Sequence, residues 1–215
     1  GSNRMDISAM GAETQVFTIG HSNHTLEGFL RLLAQHGITA VADVRSVPMS
    51  RLHPQFNRDD FSEALKQAGI AYSFLGKELG GRPQDPSWYV NGQVQYRLVA
   101  LTEPFRKGIE RVLAGAQKYR VALMCAEREP LDCHRGLLVA PALEKAGASV
   151  LHILADGNIE AHRDTMNRLL ERFGFTQDDL FRSREELVEE ACARQQERVA
   201  YTERPEPEEK VRVTP

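Results

Sequence analysis

The chain predicts an α/β domain of Rossmann-like type: a mostly parallel five-stranded sheet with helices on both faces. Three observations predict it. Short β-rich runs recur along the chain, amphipathic stretches of helical period separate them, and glycines close several of those stretches. Strands joined through helices in this way require right-handed crossovers and parallel neighbours.

Taken in order, the run VFTI at 16–19 is a strand that ends at Gly20-His21-Ser22-Asn23. Thr25 caps a helix carrying Leu26, Phe29, Leu30, Leu32 and Leu33, which stops near Gly37. Residues 38–44 form the second strand and run into Asp43-Val44-Arg45. Asp59 and Asp60 cap a helix through Phe61 and Leu65 to Gly69, and 70–75 supply the third strand. A long helix covers 96–119, with Pro104 either splitting it or lying in its first turn. The fourth strand is 120–125, a helix follows at 134–145, the fifth strand is 150–154, and 159–173 is the last helix of the body. Residues 178–200 are helix-prone and charged, with Leu180, Phe181, Leu187, Val188 and Ala191 available to pack on the body or on a partner. This divides the chain into an expression remnant with a loose start (1–14), a single α/β domain (15–175), a helical extension (176–201) and a disordered tail (202–215).

Composition narrows the class. Hydrophobic content of 41% and charged content of 27% are those of an ordinary globular protein. No apolar run approaches the roughly 20 residues that span a bilayer. Three cysteines without framework spacing favour a reducing, cytoplasmic setting. The net charge of −3 is concentrated in 176–215, where 7 basic face 11 acidic residues; the body before it is near neutral. A near-neutral body argues against non-specific duplex binding, which relies on a strongly basic surface.

The most informative stretch is CAEREPLDCHR, 125–135, where a strand hands over to a helix. It places two thiols, a carboxylate, an imidazole and a guanidinium in one connection. In a parallel sheet, His21-Ser22-Asn23, Asp43 with Arg45, and Cys125 with Glu127 all fall at carboxyl ends of strands, where ligands bind. Cys125 reads equally as a small buried hydrophobe and as a reactive thiol. Cys133, next to His134 and a helix start, reads more strongly as a reactive thiol. Glu127 suits a general base or a partner for Arg135, and His134 suits acid–base work. Arg135 has the planar fork that binds an anion, with a structural ion pair to Asp43 or Glu127 as the competing role. Asp43 and Arg45 either clamp a ligand or lock neighbouring loops. His152 reads as a core histidine, and Cys192 as incidental. The connection 77–89 holds Gly80, Gly81, Pro83, Trp88 and Tyr89, as binding loops and lids do.

GHSN at 20–23, DVRSVPMS at 43–50, LGKELGGRP at 75–83, CAEREPLDCHR at 125–135 and HILADG at 152–157 together resemble the domain-of-unknown-function 488 family over about residues 15–175. The resemblance implies one α/β domain of a cytoplasmic, bacterial-type protein, and it implies no established activity.

Three functions compete on these residues. The first is an enzyme acting on a small anionic or nucleotide-like ligand: Arg45 and Arg135 bind the anion, Glu127 or His134 moves protons, and Cys125 or Cys133 is nucleophile or redox centre, as in a thiol-dependent transferase or hydrolase. The second is a metal site on Cys125, Cys133 and His134 with His21, although adjacent Cys and His are not a standard ligand pair. The third is a non-catalytic nucleic-acid or partner-binding module using Trp88, Tyr89 and the arginines of the 45–58 loop. No particular cofactor and no membrane association are implied.

Overall fold

The computed structural model describes residues 13–176 and 179–203. In chain order its elements are β1 (Gln15–Gly20), α1 (Leu26–Gln35), β2 (Ala40–Asp43), α2 (Arg58–Gln67), β3 (Ala71–Phe74), α3 (Gly76–Leu79), β4 (Tyr89–Val90), β5 (Gln93–Val94), α4 (Tyr96–Val99), α5 (Glu103–Gly115), β6 (Val121–Cys125), α6 (Ala140–Lys145), β7 (Ser149–Ile153), β8 (Ile159–Ala161), α7 (His162–Arg172) and α8 (Arg184–Val199). The main sheet has the order β3-β2-β6-β1-β7-β8. Every pairing in it is parallel except β7 with β8.

Strand alternation divides the core into two layers. Phe17 and Ile19 of β1, Ala122 and Met124 of β6 and Val41 of β2 point to one face, where α1 lays Phe29 and Leu33 and α2 lays Phe61 and Leu65. Leu123 and Cys125 of β6 and Ala42 of β2 point to the other face. There they meet Phe105, Ile109 and Val112 of α5, Leu137–Leu143, and Met166, Leu169 and Leu170 of α7. The neighbours β1 and β6 are therefore followed by connections to opposite faces. That arrangement opens a crevice at their carboxyl ends, where open α/β sheets bind ligands.

Several expectations hold in detail. The Thr25 hydroxyl accepts the Gly28 N–H at 3.0 Å as the cap of α1. The charged extension packs on the body: α8 buries Leu187 and Ala191, and Ser183 with Glu186 forms a capping box at its start.

Other expectations are corrected. Asp59 and Asp60 lie in the first turn of α2, whose N-cap is Asn57. Over 96–119 the alternative of a split holds: α4 and α5 are separate helices, Thr102 caps α5, and Pro104 sits in its first turn, where no N–H is needed. The helix expected from 134 opens as a π-helical turn, Arg135–Val139, before α6. Residues 159–161 are not helix but the sixth strand, turned back on β7 through Asp156-Gly157, with Gly157 at φ 86°. A two-stranded hairpin, β4–β5, interrupts the 77–95 connection. The first two residues of the tail expected to be disordered from 202 are held in place. Thr202 bridges to Gln93, and the Glu203 N–H donates to the Gly92 carbonyl at 2.8 Å. The rest of that segment, and residues 1–12, lie outside the described residues.

Candidate active site

At the carboxyl ends of β1, β2 and β6 lies a cleft of about 810 Å³. It brings together His21, Ser22, Asn23, Arg45, Cys125, Glu127, Cys133 and His134, eight of the ten residues the sequence nominated. Asp43 and Arg135, the other two, are fully buried beneath it and do not line it.

The floor is built by continuing the β1–β6 ladder past the strand ends. His21 N–H donates to the Cys125 carbonyl, and Ser22 N–H to that of Ala126, both at 2.9 Å. This brings the loop after β6 against Gly20: a Cβ there would stand 1.8 Å from the Glu127 carbonyl oxygen. Gly20→Ala is therefore expected to force the 127–128 backbone outward and cost about 1–3 kcal/mol. A urea titration checks this, and unchanged stability would show that the loop yields freely. Ser22, with φ 46°, takes a left-handed conformation uncommon outside glycine, and it does so at the cleft wall.

Two sulfurs occupy the floor. Cys133 Sγ lies 3.0 Å from Cys125 Sγ, and both side chains are buried. Burial pushes the Cys125 thiol well above its ordinary pKa, the Cys133 thiol adds to the rise, and the Arg135 guanidinium opposes it. Beside Cys133 stands His134, with Nδ1 3.6 Å from Sγ and Nε2 2.8 Å from the Val44 carbonyl. A carbonyl only accepts, so Nε2 carries the proton and donates to it. Nδ1 is then the acceptor turned toward the Cys133 sulfur. Gly81 lets the 80–82 loop close over this ring, since a Cβ there would sit 3.1 Å from it.

Glu127 is an exposed residue whose carboxylate turns in toward the thiols. Desolvation works to raise its pKa, but His134 and the Cys133 thiol outweigh that and hold it below the ordinary range. One carboxylate oxygen and the sulfurs of Cys125 and Cys133 lie within 4.8 Å of one another, a grouping that can hold a metal ion. The ligand set anticipated with His134 and His21 is not formed. The free nitrogen of His134 faces sulfur, and His21 Nδ1 donates to the Ser22 carbonyl at 2.9 Å.

The other wall carries further polar groups. Asp43 holds Arg45 through Nε and Nη2 at 2.9 and 2.8 Å and accepts from the Tyr72 hydroxyl at 2.6 Å. Arg45 Nη2 also donates to the Phe56 carbonyl. This matches the loop-locking role; Asp43 has no face left for a ligand. Arg45 Nη1 and His21 Nε2 are buried and have no partner among the described residues. One is a donor and the other, with Nδ1–H spent on Ser22, an acceptor. Burial, working against the bond to Ser22, lowers the His21 pKa to about 4 and so keeps the ring neutral.

Arg135 is the clearest departure from expectation. Its guanidinium pairs with no carboxylate among the described residues. Nε donates to Cys125 Sγ at 2.9 Å, Nη1 to Thr18 Oγ1 at 2.8 Å, and Nη2 to the Glu127 and Arg128 carbonyls at 3.0 Å each. It thus fixes the post-β6 loop and the Cys125 sulfur from below. Behind it runs a chain that the sequence did not disclose: Thr18 Oγ1 to His152 Nδ1 at 2.6 Å, and His152 Nε2 to His162 Nδ1 at 3.0 Å. Period-two alternation placed His152 in the core. Nothing in the sequence paired it with His162, whose register depends on the unforeseen β8.

The far rim also escaped the sequence reading. Tyr96, Val199 and Tyr201 line the cleft, and the Arg82 guanidinium lies 4.7 Å from the Tyr201 ring centroid. The Val94 N–H holds this strap by donating to the Tyr201 carbonyl at 3.0 Å. Trp88 and Tyr89, considered above for base stacking, pack against the core and anchor the hairpin.

Fold and floor thus define an α/β protein with a buried dithiol at the carboxyl edge of a mostly parallel sheet. The family model for Domain of unknown function DUF488 matches residues 25–141, more than half the chain, and the chain belongs to that family. No curated protein and no solved structure matches it. Among the described residues, no helix is long and apolar enough to cross a membrane.

Proposed function

We propose that the protein is a thiol-dependent enzyme, a transferase or hydrolase, acting on a small anionic or nucleotide-like ligand held in this cleft. The observation that carries this reading is the Cys133–His134 pair. A sulfur faces an imidazole nitrogen whose other nitrogen is committed to the Val44 carbonyl, which is the nucleophile, base and orienting group of covalent catalysis. Both thiols line the cleft; Cys133 is the attacking one because it alone keeps some exposure and stands beside His134, whose Nδ1 takes its proton. Glu127 exchanges protons with the ligand or with water. Arg45 Nη1 donates to a ligand oxygen and His21 Nε2 accepts from a ligand hydroxyl, while Arg82 and Arg128 at the rim offset the carboxylates of Glu129 and Asp132. The separation of 3.6 Å is long for a working contact, as nucleophile–base contacts often are before substrate binds.

The test is alkylation with limiting iodoacetamide, followed by a screen of small acyl, phosphoryl and sulfur esters. Cys133 is expected to be the first cysteine labelled, and Cys133→Ser to abolish any turnover found. His134→Ala is expected to slow both by about 10²–10⁴. Turnover surviving in both Cys133→Ser and Cys125→Ser would end the thiol mechanism.

A metal site is favoured as the second reading by the closeness of Cys125, Glu127 and Cys133. Stoichiometric zinc, protecting both thiols from alkylation in protein purified without a nickel column, would support it over a free nucleophile.

A further inference from the structure

The geometry points to a further activity of the same floor: we infer that Cys125 and Cys133 form a dithiol–disulfide couple that reduces a hydroperoxide, with Cys133 reacting first and Cys125 resolving it. The inference rests on the reading of Cys133 as the cleft-facing nucleophile and adds a defined role for Cys125, which a simple thiol hydrolase does not need.

Three observations carry it. The two sulfurs are 3.0 Å apart, about 1 Å beyond a disulfide bond, so joining them asks for little movement. Their accessibility differs in the useful sense: Cys133 is 3% exposed at the cleft, and Cys125 is fully buried behind it. Arg135 Nε donates to Cys125 Sγ at 2.9 Å, which fixes the second sulfur and places a cation beside the charge it develops on losing a proton.

His134 Nδ1 takes the Cys133 proton, and the sulfur attacks one oxygen of the hydroperoxide. The O–O bond breaks, an S–O bond forms, and the other oxygen leaves as alcohol or water on taking that proton back. Cys133 is now a sulfenic acid and the peroxide has been reduced by two electrons. Cys125 sulfur then attacks Cys133 sulfur, an S–S bond forms, the S–O bond breaks, and hydroxide departs as water with the Cys125 proton. Two molecules of a small thiol restore the pair, the first attacking Cys133 from the cleft and the second releasing that thiol as its own disulfide.

The experiment treats the reduced full chain with equimolar hydrogen peroxide and reads free thiols, dimedone adducts and non-reducing peptide maps. Three free cysteines should fall to one, Cys192, with Cys125 and Cys133 cross-linked, and glutathione should restore all three. In Cys125→Ser, Cys133 should instead accumulate the dimedone adduct. A folded wild-type protein whose Cys133 is alkylated by iodoacetamide yet forms no cross-link overturns this inference and leaves the proposed function standing. A Cys133 inert to both reagents overturns both.

Discussion

Replacing Arg135 with Met is expected to lower the stability of the protein by about 3–5 kcal/mol. The side chain is among the largest fully buried ones, and its donors go to a sulfur, a hydroxyl and two backbone carbonyls. Removing it takes a donor from each of four acceptors, two of them within the buried core, and methionine's thioether offers none of them a hydrogen. Arg135→Lys is expected to lose nearly as much, since one ammonium cannot reach acceptors spread around the guanidinium plane. Urea unfolding at neutral pH measures both, and peptide-level iodoacetamide labelling reports whether Cys125 has become accessible. A methionine variant as stable as the parent would mean that the buried cation contributes nothing to the fold.

The second large effect is with pH. His21 and His162 are held near pKa 4 by burial, and His152 well below its ordinary value by burial and then by Arg135. Each ring titrates near 6.5 once the chain unfolds, so between the two values the unfolded state binds protons that the folded state refuses. Stability is therefore expected to be full above about pH 6.5 and to fall as the pH drops toward 4. His21 and His162 together account for roughly 3 kcal/mol per pH unit within that window, and His152 adds to it. Glu127 and Glu160 are held below the ordinary carboxyl range, so their losses begin only at lower pH. Denaturant midpoints measured between pH 7 and 5 test this, and a flat profile would show that the rings accept protons without leaving the fold.

Much of the site was legible in the sequence because a parallel sheet sends its carboxyl ends to one edge. Once β1, β2 and β6 were recognised from their β-rich runs, His21, Arg45, Cys125 and Glu127 had to converge. What failed were roles that depend on side-chain direction at that edge. Asp43 and Arg135 sit at the same rim in sequence, but their groups turn inward and are spent on Arg45, Cys125 and backbone carbonyls. Charge and spacing alone do not separate a ligand-binding arginine from one that ties a loop. The sixth strand was missed although its signal was present. Asp156-Gly157 is a strong hairpin pair, but the short run Ile159-Glu160-Ala161 merges with α7 and reads as its first turn. That merger also hid the His152–His162 contact. The split between α4 and α5 follows from Pro104, which the sequence shows but whose two outcomes it does not decide.

The family match ends at residue 141, whereas Val199 and Tyr201 of the strap stand in the cleft wall beside Arg82. The matched span supplies the wall from Arg45 to His134, and the strap that follows α8 closes the opposite rim. Replacing Tyr201 with Ala is therefore expected to widen the mouth of the cleft while the two sulfurs at its floor keep their spacing.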